Sequence, residues 1–331
     1  MPRQVSGFQG DPAPLFDIVS YGRRGPDRRL ALEQIEQVSR TVRQAPEVMV
    51  KISGGGTGTG AVRAHFRYIG REDFKLETDE GERLSGKNAA KNLIEDWQLD
   101  VDEAEARSSY NGRPGRKPGK LVYNIILSMP SGTPSSKVLA ASRDFARETF
   151  ALKHRYALAL HTNEAHPHTH LVVRAMSEQG RRLNIRKETL RGWRREFARH
   201  LRAHGVEANA TAKSVRGAPR IQKHDGIYRA NERDASTHMR DREETVDLAL
   251  HSGDLSIEPG KSKLQATRRK VILGWKLVGE ILERQGEHEL AAQVRQFVRQ
   301  MPLPMTETEQ IAAQLIGQPQ KVKDIRPRAV Q

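Results

Sequence analysis

Two apolar segments joined by a short polar one constrain the fold of this 331-residue chain more than any other feature. They read YALALHTN and HTHLVVRAM, and only NEAHP separates them. Apolar runs of this length are typical of strands, and so short a connection suits an antiparallel pair. A further strand, LVYNIILSMP, is bounded by Gly119 and Pro130. The sequence therefore predicts an antiparallel pair and at least one more strand.

Helical patterns flank these strands. A short strand from Val48 to Ser53 runs into the glycine-rich loop GGGTGTG and then into AVRAHFRYIGRE, where Val62, Phe66 and Ile69 share one helical face. We expect an N-terminal extension with one helix in residues 1–45 and a main domain in residues 46–233, with an excursion from the core at 73–119. Residues 234–331 are expected to form a helical region that either docks partner proteins or stabilises the fold.

Histidines are concentrated in one place, since four of the 12 lie in residues 161–170. Alternate residues of a strand share a face, so His168 and His170 point the same way, about 7 Å apart. His161 ends the preceding strand and comes alongside if the two strands form a hairpin. Three imidazoles with an open position are typical of a catalytic metal site. The alternative is a set of ordinary polar side chains on a solvated strand face; three together favour the metal.

Four further side chains are candidates for supporting roles around such a metal site. His166 lies beside Pro167 at the bend between the strands. We expect it either to be exposed or to hydrogen-bond to a metal-binding histidine without binding the metal itself. Asn163 and Glu164 are placed to orient an imidazole N–H group, as residues around metal ligands often do. His65 precedes a tyrosine by three residues and either assists proton transfer or is structural; we favour the structural role.

The chain is strongly basic, with 56 Lys and Arg against 41 Asp and Glu and a formal net charge of +15. The favoured partner of such a chain is a polyphosphate backbone, rather than solvent alone, because the charge is clustered. Trp193 would add base stacking if it were exposed. The predicted DNA-binding residues are Arg63, Arg67, Arg71, Arg181, Arg182, Arg186, Lys187, Arg191, Arg194 and Arg195.

Several classes of protein are disfavoured. The chain has no cysteine, which excludes disulfides and thiolate metal sites. No signal peptide and no run of about 18 apolar residues is apparent, so we expect a cytoplasmic protein without membrane insertion. The glycine loop is not followed by GK[ST], so a nucleotide-hydrolysing site is unsupported, although the loop and the following helix N-terminus are suited to receive phosphate.

Together, RAHFRYIGRE, HTNEAHPHTHLVV and RAHGVEANATAKSVRG resemble the relaxases of conjugative elements, in that order. The likeness is greatest to the P-type group that includes the border-nicking relaxases of plant-tumour plasmids, which are HUH endonucleases. It spans about Val48 to Gly217. It implies an α+β fold, an antiparallel sheet flanked by helices, with the helical C-terminal region appended.

The resemblance also implies an activity. Tyr68 falls on the family's nucleophile, His168 and His170 on its paired histidines, and His161 on its third metal ligand. A divalent ion, Mn or Mg foremost and otherwise Zn or Ni, would assist site- and strand-specific DNA nicking at a transfer origin. Attack by tyrosine leaves a 5′-phosphotyrosine and a free 3′-OH, which retains the bond energy for rejoining. No organic cofactor is implied.

The sequence departs from the family pattern around the histidines. Thr169 replaces a hydrophobic residue, which matters little because it faces away from the metal, whereas Asn163 and Ala165 stand where related sequences often carry aspartates. The implied partners are single-stranded and supercoiled DNA, with accessory DNA-binding proteins and a secretion-coupling protein. The alternatives are a rolling-circle replication or transposition nuclease of the same superfamily, or a non-catalytic DNA-binding protein of this fold.

Overall fold

A computed structural model describes residues 29–70, 76–86, 88–110, 118–162, 164–217, 236–253, 258 and 260–317. The strands are β1 Met49–Gly54, β2 Leu76–Thr78, β3 Arg83–Leu84, β4 Val122–Ser128, β5 Tyr156–His161 and β6 His168–Arg174. The helices are α1 Leu32–Val42, α2 Thr59–Gly70, α3 Ala89–Asp96, α4 Leu99–Tyr110, α5 Ser135–Phe150, α6 Lys187–Ala203, α7 Thr237–Ser252, α8 Gly260–Arg284, α9 His288–Gln300 and α10 Glu307–Gly317.

The chain divides into two compact units. Arg43–Ala210 form one, and the described residues of Met1–Val42 and Thr211–Gln331 form the other. These limits differ from the sequence-based division at 45/46 and 233/234, which stays a prediction of domain organisation.

The first unit is built on a six-stranded sheet in the order β1-β4-β6-β5-β2-β3, and every pairing in it is antiparallel. Strand β6 lies inside the sheet between β4 and β5, and its first six residues are all buried. The predicted hairpin is present, with His161 opposite His168. The expected α+β class, an antiparallel sheet flanked by helices, is confirmed.

The two faces of the sheet carry different helices because strand residues alternate between them. Leu171 and Val173 of β6 pack in one core with α5 and α6, through Phe145 and Phe197. Val172 packs in a second core that includes residues of α2 and α3. His168 and His170 share the parity of Val172, so their side chains belong to the face covered by α2.

The segment 73–119, which we expected to leave the core, contributes to it in its described part. Strands β2 and β3 extend the sheet, and Leu76, Trp97 and Leu99 are fully buried in the core beneath α2. The acidic run DVDEAEA obscured this in the sequence, because charged residues usually mark a solvated helix face. Here part of that charge is paired inside the unit, as described below.

The second unit is helical, as expected for the C-terminal region. Val38 of α1 packs in one core with Trp275 of α8 and Val294 of α9. The indole Nε1 of Trp275 donates a hydrogen bond to the carbonyl oxygen of Val215 at 2.8 Å. Helices α7 and α10 share a smaller core. Among the helices the structure describes, each is too short or too polar to cross a bilayer.

Candidate functional site

Three buried histidines converge on the sheet face covered by α2. His161 ends β5, and His168 lies opposite it at the start of β6, with His170 two residues further on. One ring nitrogen from each of the three lies within 4.8 Å of the others. The side chains are only 3%, 7% and 6% exposed, in chain order. The register of one hairpin therefore gathers three imidazoles that the sequence spreads over ten residues.

Backbone carbonyls orient two of these rings. Nε2 of His161 lies 2.8 Å from the carbonyl oxygen of Ile69, and Nδ1 of His168 lies 2.9 Å from that of His166. A carbonyl oxygen only accepts, so each of these nitrogens donates its proton. The other nitrogen, Nδ1 of His161 and Nε2 of His168, then keeps a lone pair. Metal-binding histidines are commonly held in this way, so the donor set fits a divalent ion.

Tyr68 lies against the histidine cluster from α2. Its ring centroid is 6.3 Å from that of His161 and 6.1 Å from that of His170. The residue is 66% exposed, whereas Phe66 and Ile69 on either side of it are buried in the core. Helical periodicity explains the difference, because Phe66 and Ile69 face the sheet. Tyr68 is therefore open to solvent and next to two of the three imidazoles.

The ring of His65 is equally distant from those of Tyr68 and His170. Its ring stacks on Tyr68 at 6.2 Å and meets the His170 ring edge-on at 6.2 Å. Burial lowers the pKa of His65 below that of a free imidazole, and protonation of the neighbouring His161 would lower it further. Its Nε2 atom is buried and has no hydrogen-bond partner among the described residues. The ring is therefore neutral at pH 7 and in contact with the candidate nucleophile.

The remaining residues around the cluster are more peripheral. His166 and Glu164 are exposed, and His166 contributes its backbone carbonyl rather than its ring. Asn163 lies outside the described residues. Thr169 is fully buried, and its hydroxyl accepts a hydrogen bond from Ser142 Oγ at 3.1 Å in the core on the other side of the sheet. It therefore faces away from the imidazoles.

A carboxylate is bound at the N-terminus of α2, where the glycine loop suggested a phosphate site. The backbone N–H of Thr59 donates to Oε2 of Glu103 at 2.8 Å, so a carboxylate of α4 already satisfies it. Gly55 has a packing role instead, since a Cβ there would lie 2.3 Å from the carbonyl oxygen of Val122. Glu103 lies 44 residues from Thr59 in sequence, and no local pattern pointed to it.

The predicted DNA-binding residues occupy two regions. Arg63 and Arg67 are exposed on α2, the helix that carries Tyr68, and Arg71 lies outside the described residues. Helix α6 instead packs on the sheet face opposite the histidines. The second region consists of α6 and the segment just before it. Its exposed basic residues are Arg181, Arg182, Arg186, Lys187 and Arg191, and its half-buried ones are Arg194 and Arg195.

Internal bonds engage several of the basic side chains on or near α6. Arg194 donates to the carbonyl oxygen of Val50 at 3.3 Å and Arg182 to that of Lys120 at 2.8 Å. Arg199 pairs with both Glu148 and Glu196, so the helix carries less unpaired charge than its sequence suggests. Trp193 is 6% exposed, so the condition for base stacking by this residue is not met. Its indole instead meets Phe145 and Phe150 edge-on.

Comparisons with known proteins found similarity to relaxases and related DNA endonucleases. Residues 68–206 match the family model described as a relaxase, MobA/VirD2-like, nuclease domain. The chain is 27% identical over 187 residues to the T-DNA border endonuclease VirD2 of Rhizobium radiobacter, covering 52% of this chain and 43% of that protein. The VirD2 protein of Agrobacterium fabrum is 28% identical over 155 residues, covering 41% of this chain and 32% of that protein. The VirD2 protein of Rhizobium rhizogenes is 31% identical over 118 residues, covering 30% of this chain and 25% of that protein.

A solved structure titled "Molecular Basis of Vancomycin Resistance Transfer in Staphylococcus aureus" is 16% identical, with a TM-score of 0.33, covering 50% of this chain and 98% of its own. The chain spans less than half the length of the curated relatives it matches.

Proposed function

With a MobA/VirD2-like relaxase nuclease domain in residues 68–206 as the premise, we propose that the protein nicks one DNA strand at a transfer origin and thereby initiates conjugative mobilisation. The observation that carries this proposal is the contact between Tyr68 and the histidine cluster, with ring centroids 6.1 Å and 6.3 Å apart. An exposed nucleophile beside a buried set of nitrogen donors is the arrangement that phosphodiester transfer by tyrosine requires.

In the proposed reaction, the phenolic oxygen of Tyr68 attacks the phosphorus atom of the scissile phosphodiester. The bond between phosphorus and the 3′-oxygen breaks, that oxygen takes up a proton and leaves as a 3′-OH, and the phenol gives up its own proton. The 5′ end of the cut strand is then joined to Tyr68. One phosphodiester replaces another, so the reverse attack by a 3′-OH reseals the strand without an external energy source.

His161, His168 and His170 are the residues that would hold a divalent ion, with Mn or Mg foremost and Zn or Ni as the other choices. Such an ion acts as a Lewis acid on a phosphate oxygen when it is bound. The hydrogen bonds from His161 and His168 to backbone carbonyls orient these two rings and leave the second nitrogen of each available to such an ion. His65 is in ring contact with Tyr68, and this stacked arrangement supports the structural role favoured from the sequence.

Exposed arginines on the helix of Tyr68 support a DNA substrate. Arg63 and Arg67 lie within one and a half turns of Tyr68 and are both exposed. They are proposed to contact the backbone of a single strand delivered to the phenol. Supercoiled DNA would favour such a strand, because negative supercoiling eases local opening of the duplex. Accessory DNA-binding proteins and a secretion-coupling protein are the further partners we propose.

The test uses supercoiled DNA of the element that encodes this chain, incubated with the protein and Mn²⁺ or Mg²⁺. We expect relaxed circles with protein attached to the 5′ end of the nicked strand. Tyr68→Phe should abolish both the nick and the covalent adduct, whereas Tyr123→Phe is the matched control. Tyr123 is half-buried on β4 and pairs with Val173, so it belongs to the sheet face opposite the histidines. Its variant should nick at the normal rate. Nicking by Tyr68→Phe would overturn the proposal.

A further inference from the structure

Helix α2, which carries Tyr68, is held at both ends by side chains from other elements. At its N-terminus, the backbone N–H of Thr59 donates to Oε2 of Glu103 at 2.8 Å. At its C-terminus, the carbonyl oxygen of Ile69 accepts from Nε2 of His161 at 2.8 Å. Tyr68 lies immediately before this second contact. One fixed point therefore comes from the histidine cluster itself, and the other from an acidic residue on α4.

Helix α4 is in turn fixed to the strand that bears His168 and His170. Asp102, adjacent to Glu103, accepts two hydrogen bonds from Arg174, from Nε and from Nη2, each at 2.9 Å. Arg174 ends β6, and both side chains are largely buried, at 12% and 10% exposed. Such a bidentate ion pair fixes orientation as well as distance. The first turns of α4 thus join the start of α2 to the end of β6.

These contacts close a circuit of four elements. It runs from α2 through Glu103 to α4, through Asp102 to β6, across the hairpin to His161, and back to α2 at Ile69. Tyr68 lies roughly 13 Å from Thr59 along the helix axis, nine residues at the usual rise per residue. A tilt of a few degrees at Thr59 would therefore displace the phenol by on the order of 1 Å at that distance.

We propose that Glu103 is a positioning residue for Tyr68, which holds the phenol against the histidine cluster by anchoring the N-terminus of α2. The proposal rests on the proposed function for its effect on rate, but not for its effect on position. Misplacement of a reacting group by about 1 Å can cost on the order of 100-fold in rate. Glu103 also contacts Arg107 one turn further along α4, which keeps the carboxylate in place.

Three variants distinguish the length of the Glu103 side chain from its charge. Glu103→Gln keeps an acceptor oxygen at the same distance, Glu103→Asp keeps the charge but withdraws it by one methylene, and Glu103→Ala removes both. Glu105→Gln is the matched control, since Glu105 is an exposed acid on the same helix. All four proteins are labelled with 3-fluorotyrosine, and the ¹⁹F resonance of Tyr68 is identified by its loss in Tyr68→Phe.

In metal-free protein, the Tyr68 resonance is expected to move or broaden in Glu103→Ala and Glu103→Asp. It should keep the wild-type position in Glu103→Gln and in Glu105→Gln. A resonance that stays unchanged in Glu103→Asp would overturn the proposal, even if Glu103→Ala fails to fold. Because no DNA or metal is needed, this result stands whether or not the protein nicks DNA.

The second readout is the single-turnover rate of strand cleavage at saturating DNA. Glu103→Asp is expected to lower this rate by 10-fold or more, on the order that misplacement predicts. The dissociation constants for DNA and for Mn²⁺ should stay within about twofold of wild type, and Glu103→Gln should restore most of the rate. A wild-type rate in Glu103→Asp would contradict the proposal. Failure of the wild-type protein to cleave would instead contradict the proposed function.

Discussion

Nε2 of His161 donates its proton to the backbone carbonyl oxygen of Ile69, one residue after Tyr68, across a distance of 2.8 Å. This bond does two things at once. It leaves Nδ1 of His161 unprotonated and able to bind a cation, and it fixes the end of the helix that carries the phenol. A change at His161 should therefore affect both the cation and the tyrosine, whereas a change at His168 should affect the cation alone.

Removal of one imidazole should weaken cation binding. His168→Ala and His161→Ala are expected to lower the affinity for Mn²⁺ or Zn²⁺ by about 100-fold or more, since loss of a supporting group alone can cost 10- to 100-fold. The measurement is isothermal titration calorimetry on metal-free protein. His166→Ala is the control, because His166 is exposed and acts through its backbone. Equal losses in all three variants would argue against a site formed by these rings.

The buried ion pair between Asp102 and Arg174 should be important for stability. Asp102→Ala leaves the largely buried guanidinium without its bidentate partner, so we expect a loss of about 3 kcal/mol in the free energy of unfolding. Glu178→Ala is the control, since Glu178 pairs with the same arginine but is 50% exposed, and it should cost below about 1 kcal/mol. Urea unfolding of both variants checks this. Similar costs would mean that burial adds nothing to the pair.

The carboxylate of Glu103 should make stability depend on pH in the acidic range. Hydrogen bonds from Thr59, and then the charge of Arg107, lower the pKa of Glu103 in the folded protein. A lowered folded-state pKa stabilises the fold above the unfolded value of about 4.3, and this contribution is lost as the pH falls through the folded value.

The measurement for Glu103 is the difference in melting temperature between wild type and Glu103→Ala. That difference should be present at pH 7 and shrink toward pH 3, because protonation weakens the wild-type contact. Glu105→Ala provides the reference for a general loss of acidic charge on α4. A difference that stays constant with pH would show that the carboxylate charge does not contribute.

The helical unit should depend on its central indole. Trp275 is fully buried and donates to the carbonyl oxygen of Val215, so Trp275→Ala is expected to cost about 3–5 kcal/mol. Leu273→Ala on the same helix is the control; Leu273 is 64% exposed, and its loss should cost below about 0.5 kcal/mol. Chemical unfolding followed by circular dichroism measures both. A cost as small for Trp275 as for Leu273 would contradict the described core.

Local patterns in the sequence predicted the histidine cluster, because its geometry is local. The two-residue period of a strand puts His168 and His170 on one face, and the short connection brings His161 opposite His168. Helical spacing with Leu190, Phe197 and Leu201 places Trp193 on the core side of its helix, where it is buried. Base stacking, which required an exposed Trp193, is therefore not available to this residue.

Contacts between distant segments could not be predicted in this way. Glu103 reaches Thr59 across 44 residues and Asp102 reaches Arg174 across 72, so each looked like part of an acidic patch. An ion pair buried between two elements leaves no periodic signal in either one. The glycine loop is a related case, since the sequence does not reveal that the carboxylate of Glu103 is bound at the N-terminus of the following helix.

The helical unit draws its α1 from one part of the chain and its α8 and α9 from another, with the whole sheet unit encoded between them. On the ribosome, α1 emerges before the sheet unit, and its partners α8 and α9 emerge after that unit. The apolar face of α1 around Val38 therefore stays without these packing partners until more than two hundred further residues have been translated. The sheet, whose strands all lie between residues 49 and 174, can complete its own pairing during that wait.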